Sequence, residues 1–152
     1  MKQKFILETK IGFITLYSLN GQIIMIEILN NFEKILLPNN FDFDPFKNYF
    51  KAKSKNIQIQ FKMIGTEFQL KVWNEICKID YGKTKTYEDI AKSIGKPTSC
   101  RAVANACGQN KFALVIPCHR VVGKKDIGGY KWGIDKKKWL LDFEKKNEKK
   151  IS

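Results

Sequence analysis

An α+β fold is predicted, with a small sheet and one helix over residues 1–63 followed by a mainly helical unit over residues 64–152. Three observations predict it. Two β-branched-rich runs, Phe13–Leu19 and Gln22–Ile28, flank Asn20-Gly21, a dipeptide suited to the positive φ angles of a tight hairpin. From Gly65 onward the apolar spacing changes from two to helical. Two short helical stretches then meet at Gly95–Pro97, as a helix-turn-helix requires.

After the hairpin, Asp44-Pro45 opens a short helix, with Asp44 as its expected cap and Phe46, Tyr49 and Phe50 on one face. Ile57–Phe61 reads as one more strand or an extended linker, and the unit boundary falls near Met63–Gly65. Phe68, Val72, Trp73, Ile76 and Ile79 then mark an amphipathic helix that Tyr81-Gly82 ends. Thr86 with Asp89 forms a capping box for the next helix, whose stop is Gly95. Pro97 and Thr98 start a third helix running through Cys107, with Gly108 as its end. Ala113–Ile116 is strand-like, a loop containing Gly128, Gly129 and Gly133 follows, and a last helix covers Asp135 to about Glu144. The lysine-rich tail beyond it is expected to fray.

Composition limits the function. Hydrophobic residues at 43% and aromatics at 12% suffice for a core. The net charge of +13 is uneven: residues 1–63 hold 9 basic and 5 acidic groups (+4), and the remainder 19 and 10 (+9). A polyanionic partner fits this field, and so does a lysine-rich composition that serves solubility. The four cysteines, Cys77, Cys100, Cys107 and Cys118, have no CxxC spacing, and there is one histidine, so no metal site is expected. Reduced thiols, no signal peptide and no membrane-spanning run suggest a cytoplasmic protein, or a nuclear one in a eukaryote.

Cys118 beside His119, the only histidine, is a candidate nucleophile with a candidate base. Taken alone, the pair fits a buried structural cysteine as well. The surrounding residues carry more. Ile116-Pro117-Cys118-His119-Arg120-Val121-Val122 resembles the active-site signature of the O6-alkylguanine-DNA alkyltransferases. Gly82-Lys83-Thr84-Lys85-Thr86-Tyr87 with Ile90-Ala91, Gly95-Lys96-Pro97 and Arg101-Ala102-Val103 are similar to that family's helix-turn-helix. Asn110 stands at its hinge position, Gly129-Tyr130-Lys131-Trp132-Gly133 resembles its active-site loop, and Leu140–Glu144 its terminal helix.

The resemblance implies a ribonuclease H-like N-terminal domain and a winged helix-turn-helix-like C-terminal domain. It implies single-use transfer of an alkyl group from O6-alkylguanine, and from O4-alkylthymine, to Cys118. By position, His119 becomes the base acting through a water, Glu144 its orienter, Asn110 the hinge fastener, and Tyr130 a donor to the leaving purine. Val121, Tyr130 and Lys131 become the guanine pocket, with the Cys118 and Val121 carbonyls receiving the guanine amino group. Arg101 becomes the residue that replaces the extruded base, and Tyr87 presses on the neighbouring phosphate. Ala102, Ala104 and Ala106 allow close minor-groove approach, with Lys96, Lys111 and Arg120 as either phosphate contacts or partners in local salt bridges. Double-stranded DNA is the implied partner of a monomer without cofactor. A lesion-binding relative lacking the nucleophile, a helix-turn-helix regulator and a Cys–His hydrolase are the competing classes.

Overall fold

The computed structural model describes residues 2–31 and 40–151. Strands β1 (Lys2–Thr9), β2 (Gly12–Leu19) and β3 (Gln22–Leu29) form an antiparallel sheet in the order β1-β2-β3. Asn20 and Gly21 both take positive φ, 51° and 81°, which is the geometry the hairpin needed. β1 lies outside the sequence expectation for a physical reason. It is an edge strand in which Phe5 alone is buried, so its period-two signal is faint.

Helix α1 (Asp44–Phe50) follows, with Phe46 and Tyr49 buried. Asp44 is not its cap: Phe43 holds that position, Asp44 is the first helical residue, and its amide donates to Asp42 Oδ1. Residues 57–61 form no strand and join the sheet only through a bridge between Phe61 and Ile23. Helix α2 (Glu67–Ile76) starts at a capping box of Thr66 with Gln69 and stops earlier than its apolar spacing suggested. Ile79 is buried in a following turn, closed by Lys78 N to Glu75 O and Ile79 N to Ile76 O, so the apolar rhythm outlives the helix.

Strand β4 (Lys85–Thr86) leads into α3 (Tyr87–Ser93), where the Thr86–Asp89 capping box forms as expected. The Gly95 and Lys96 amides bond back to Lys92 O and Ala91 O, with Gly95 at φ 76°, the paired closure that a left-handed glycine permits. Pro97 and Thr98 lie in the turn rather than in helix α4 (Cys100–Gly108), which Ser99 precedes. Trp73 of α2 packs beneath α4 and donates from Nε1 to Ala106 O at 2.9 Å.

Residues 113–116 are a coil, not a strand. Ile26 of β3 bonds to Lys111 O and Ala113 N, after which the chain turns at Leu114 with φ 71°. Beyond it lie a 3₁₀ turn (Cys118–Arg120) and β5 (Val121–Val122), which runs parallel to β4. Helix α5 (Ile134–Asn147) exceeds the expected length, and the tail is held rather than frayed. Glu148 pairs with Lys83 and Lys145, its side chain covers Gly82, and Ile151 is buried.

A Cβ on Gly95 would meet nothing within 4 Å, so only the backbone conformation resists substitution there. Gly95→Ala is expected to lower stability by about 1 kcal/mol. Urea unfolding should show a lower midpoint at unchanged slope.

Candidate active site

Local backbone geometry delivers Cys118. Val115 N bonds to Ala113 O at 2.8 Å across Leu114, and Cys118 N bonds to Ile116 O at 2.7 Å across Pro117. Pro117 sits at φ −78°, ψ 61°, the inverse γ-turn that a proline ring preorganises. Two successive three-residue turns therefore set the direction from which the thiol enters the site.

Asn110 clamps those turns. Its Nδ2 donates to Ile116 O at 2.9 Å and to Cys118 Sγ at 3.2 Å, while Oδ1 accepts from Phe112 N at 2.8 Å. Both amide hydrogens are thus used, and only this orientation of the amide satisfies all three contacts. Cys118 lies at a cavity of about 300 Å³ lined also by Tyr87, Ala104, Cys107, Gly108, Gly129, Tyr130 and Lys131. Burial pushes its thiol up to about 11, against the Asn110 hydrogen bond and the positive charge of Lys137. At neutral pH the resting sulfur is a thiol, so a base has to take its proton.

The base has its supports behind the cavity wall. His119 Nε2 lies 2.8 Å from Glu144 Oε2; a carboxylate only accepts, so Nε2 carries the hydrogen and Nδ1 keeps a free lone pair. Nδ1 is buried and has no hydrogen-bond partner among the described residues. Burial lowers the His119 pKa below its ordinary 6.5, although Glu144 opposes this. The imidazole is neutral at physiological pH and able to accept a proton. Burial also disfavours a charged Glu144, but the bonds and charges of His119 and Arg120 outweigh it and hold the carboxyl well below the carboxylate range. Arg120 is the permanent cation there, donating from Nε to Oε1 at 2.7 Å and from NH2 to Oε2 at 2.9 Å.

The remaining expected residues fall into two groups. Tyr130 and Lys131 line the cavity, and the Tyr130 hydroxyl is buried without a partner among the described residues. Tyr87 forms another part of the wall, its hydroxyl accepting from Gly129 N at 3.3 Å. Val121 is fully buried and does not line the cavity; its carbonyl accepts from Lys137 Nζ at 2.6 Å. Arg101, Ala102 and Lys96 are exposed on or before α4, and Ala104 faces the cavity. Two expectations need correction. Arg120 is not free for phosphate, because it is buried and bound to Glu144 and to Ile79 O. Ala106 faces the core, 1% exposed, and its carbonyl accepts from Trp73 Nε1.

Three site residues escaped the sequence reading. Tyr49 donates from its hydroxyl to Glu144 Oε2 at 2.6 Å, across 95 residues of chain. Its helix read as an aromatic face, which says nothing about where one hydroxyl ends. Lys137 is fully buried and ties Val121 O to Gly129 O at 2.6 and 2.8 Å. Helical spacing held a clue, since Lys137, Leu140 and Glu144 form one buried stripe within a lysine run. Cys107 shares the cavity with Cys118, and burial pushes its thiol up to about 12. Among the described residues no group of three or more His, Cys, Asp or Glu is placed to hold a metal, and no helix is long and apolar enough to cross a membrane.

Comparison with known proteins places this geometry. A family model described as the 6-O-methylguanine DNA methyltransferase, DNA binding domain, matches residues 67–146. A probable methylated-DNA–protein-cysteine methyltransferase of Acanthamoeba polyphaga mimivirus is 46% identical over 145 residues, covering 93% of this chain and 96% of that protein. The inducible methylated-DNA–protein-cysteine methyltransferase of Bacillus subtilis is 48% identical over 99 residues, 64% of this chain and 55% of the relative. Among solved structures, Mycobacterium tuberculosis OGT in complex with DNA superposes with a TM-score of 0.85 at 30% identity, covering 95% of this chain and 94% of that one.

Glu144→Gln would leave the Arg120 guanidinium buried without its counter-charge and is expected to cost about 3 kcal/mol. The pH dependence follows the directions of the two shifts. Glu144 has a folded pKa below its ordinary 4.5, so its contribution is complete above pH 4.5 and is lost as pH falls toward the folded value. His119 is also depressed, so below 6.5 the unfolded chain takes up a proton that the folded chain refuses, and stability drops further. Urea stability should decline from about pH 6.5 downward and more steeply below 4.5, and the steeper limb should be blunted in Glu144→Gln.

Proposed function

Because this chain belongs to the methylated-DNA–protein-cysteine methyltransferase family, we propose that it repairs DNA by direct reversal. It moves the alkyl group of O6-alkylguanine, and of O4-alkylthymine, irreversibly onto Cys118 Sγ. The observation that carries this reading is a cysteine opening on a purine-scale cavity beside a buried His119–Glu144 pair whose Nδ1 is an acceptor.

The step is an in-line displacement. His119 Nδ1 takes the thiol proton through a water, the sulfur–carbon bond forms, and the carbon–O6 bond breaks with its electron pair going to guanine. Glu144 holds the imidazolium that results. Tyr130, whose buried hydroxyl lacks a protein acceptor, donates toward the purine ring as negative charge develops on it. Lys131 lines the cavity, its ammonium donating to Asn110 O at 3.3 Å. The Cys118 carbonyl accepts one bond, from Val121 N, and keeps a lone pair for the guanine amino group, while the Val121 carbonyl is held by Lys137 Nζ away from the cavity lining.

A base inside a duplex cannot reach a buried sulfur, so the nucleotide is extruded. Helix α4 enters the minor groove with Ala102 and Ala104 on its approach face, Arg101 fills the vacated stack, Tyr87 presses on the adjoining phosphate, and Lys96 binds backbone. The partner is double-stranded DNA, engaged by a monomer without a cofactor, in the cytoplasm or the nucleus. We read residues 1–63 as a reduced ribonuclease H-like domain. Residues 64–152 are a winged helix-turn-helix-like domain, with α3 and α4 as its helices and the β4–β5 pair beside them.

Mixing the protein with an oligonucleotide containing O6-methylguanine should add one methyl group to Cys118, located by peptide mass spectrometry. Cys118→Ala should abolish the transfer and Cys100→Ser should retain it. Methyl transfer by Cys118→Ala, or intact protein bound to an unrepaired lesion, would refute this reading.

A further inference from the structure

Among the described residues, Glu144 Oε2 receives three donors, from His119 Nε2, Arg120 NH2 and the Tyr49 hydroxyl, whereas Oε1 receives Arg120 Nε alone. The Tyr49 bond is, at 2.6 Å, the shortest of the four, and it comes from α1, outside the stretch that holds every other member of the cluster. A neutral donor on a carboxylate oxygen withdraws charge from the other donors on that oxygen. We propose that Tyr49 is a positioning residue of the alkyl-transfer site, which fixes Glu144 and sets how strongly His119 accepts the Cys118 proton.

The groups that face this pair leave Tyr49 as the adjustable one. From the 3₁₀ turn, Arg120 supplies a permanent charge, and the Cys118 thiol is the proton source. From the turn after α2, Tyr81 presents its ring to Arg120 at 5.7 Å and to Tyr49 at 6.1 Å, with its hydroxyl unpaired among the described residues. From the loop before α5, Tyr130 stands edge-on to His119 at 6.4 Å, and from α5, Lys137 adds positive charge that opposes protonation of His119. None of these but Arg120 and Tyr49 shares the carboxylate with His119. Burial and the negative charge of Glu144 raise the Tyr49 pKa well above its ordinary value, so Tyr49 remains a donor throughout the working range. Without its hydroxyl, Oε2 carries more charge toward His119, and the imidazolium becomes easier to form.

This inference rests on the alkyl-transfer reading, and its test separates the two. Single-turnover methyl transfer from an O6-methylguanine oligonucleotide is followed across about pH 5 to 9 in the full chain. Its acid limb reports protonation of His119. Tyr49→Phe keeps the ring contacts with Phe50, Tyr81 and Phe143 and removes only the hydroxyl. It should move the acid limb upward by about half a pH unit. Replacing Tyr49 with 3-fluorotyrosine, a stronger donor, should move it downward. Phe46→Leu, a buried change on the same helix at a side chain that has no hydrogen bond to give Glu144, should lower stability and leave the limb in place. The His119 titration, read by nuclear magnetic resonance without DNA, should shift in the same order. Coincident limbs and titrations for Tyr49→Phe and wild type, or equal shifts in Phe46→Leu, would overturn the proposal. If the wild type transfers nothing, the functional reading fails, and the DNA-free titration still decides whether Tyr49 controls the imidazole.

Discussion

A carboxylate removed from water has to be met by donors or give up its charge, and Glu144, 1% exposed, is met by four among the described residues. Those donors come from two places in the chain, α1 and the 3₁₀ turn that holds the cysteine, and Arg120 of that turn also reaches the turn after α2 through Ile79 O. The carboxylate is thus the point at which these elements are registered against one another. Each bond to it is geometric as well as energetic. If α5 slides along its axis, His119 loses its tautomer lock, Arg120 its counter-charge and α1 its anchor together. Arrangements of this kind are costly when partly satisfied and rigid when complete.

The thiol is governed by a different balance. Burial holds Cys118 in its neutral form, while Asn110 and Lys137 pull toward the thiolate without winning. A cysteine poised in this way is quiet toward passing electrophiles and needs a partner to become reactive. The backbone supports that restraint. The turns at Leu114 and Pro117 fix the entry direction of the chain, and Asn110 spends its whole donor capacity holding them. Geometry that is fixed in advance leaves little reorganisation to the moment of bond exchange.

Legibility from sequence followed locality. The hairpin at Asn20-Gly21, the Thr86 capping box and the Gly95 closure all formed as expected, because each is settled by residues within a few positions of one another. Motif order brought Cys118, His119, Glu144, Asn110, Tyr130 and Lys131 to one region, and the structure does gather them. What failed was long-range or hidden by chemistry of mixed character. β1 is half polar, α2 ends while its apolar spacing continues, and residues 113–116 look like a strand but carry a positive φ. For Arg120 a phosphate contact and a local salt bridge read equally well, because neither spacing nor composition says that its partner, Glu144, is buried with it. Tyr49 was invisible as a hydrogen-bond donor because nothing near position 49 announces a carboxylate 95 residues away.

The join between β3 and the segment before Cys118 is made of main-chain bonds, Ile26 N to Lys111 O and Ala113 N to Ile26 O. Backbone groups are the same in every residue, so this seam places few demands on which side chains the sheet carries, provided that its buried face stays apolar. The sheet is therefore free to change its amino acids over evolutionary time while still bracing the cysteine from behind. Tyr49 stands outside that freedom, since its contact is made by an atom that only tyrosine brings to that place. A population of variants selected for function alone should drift across β1 to β3 and hold still at position 49.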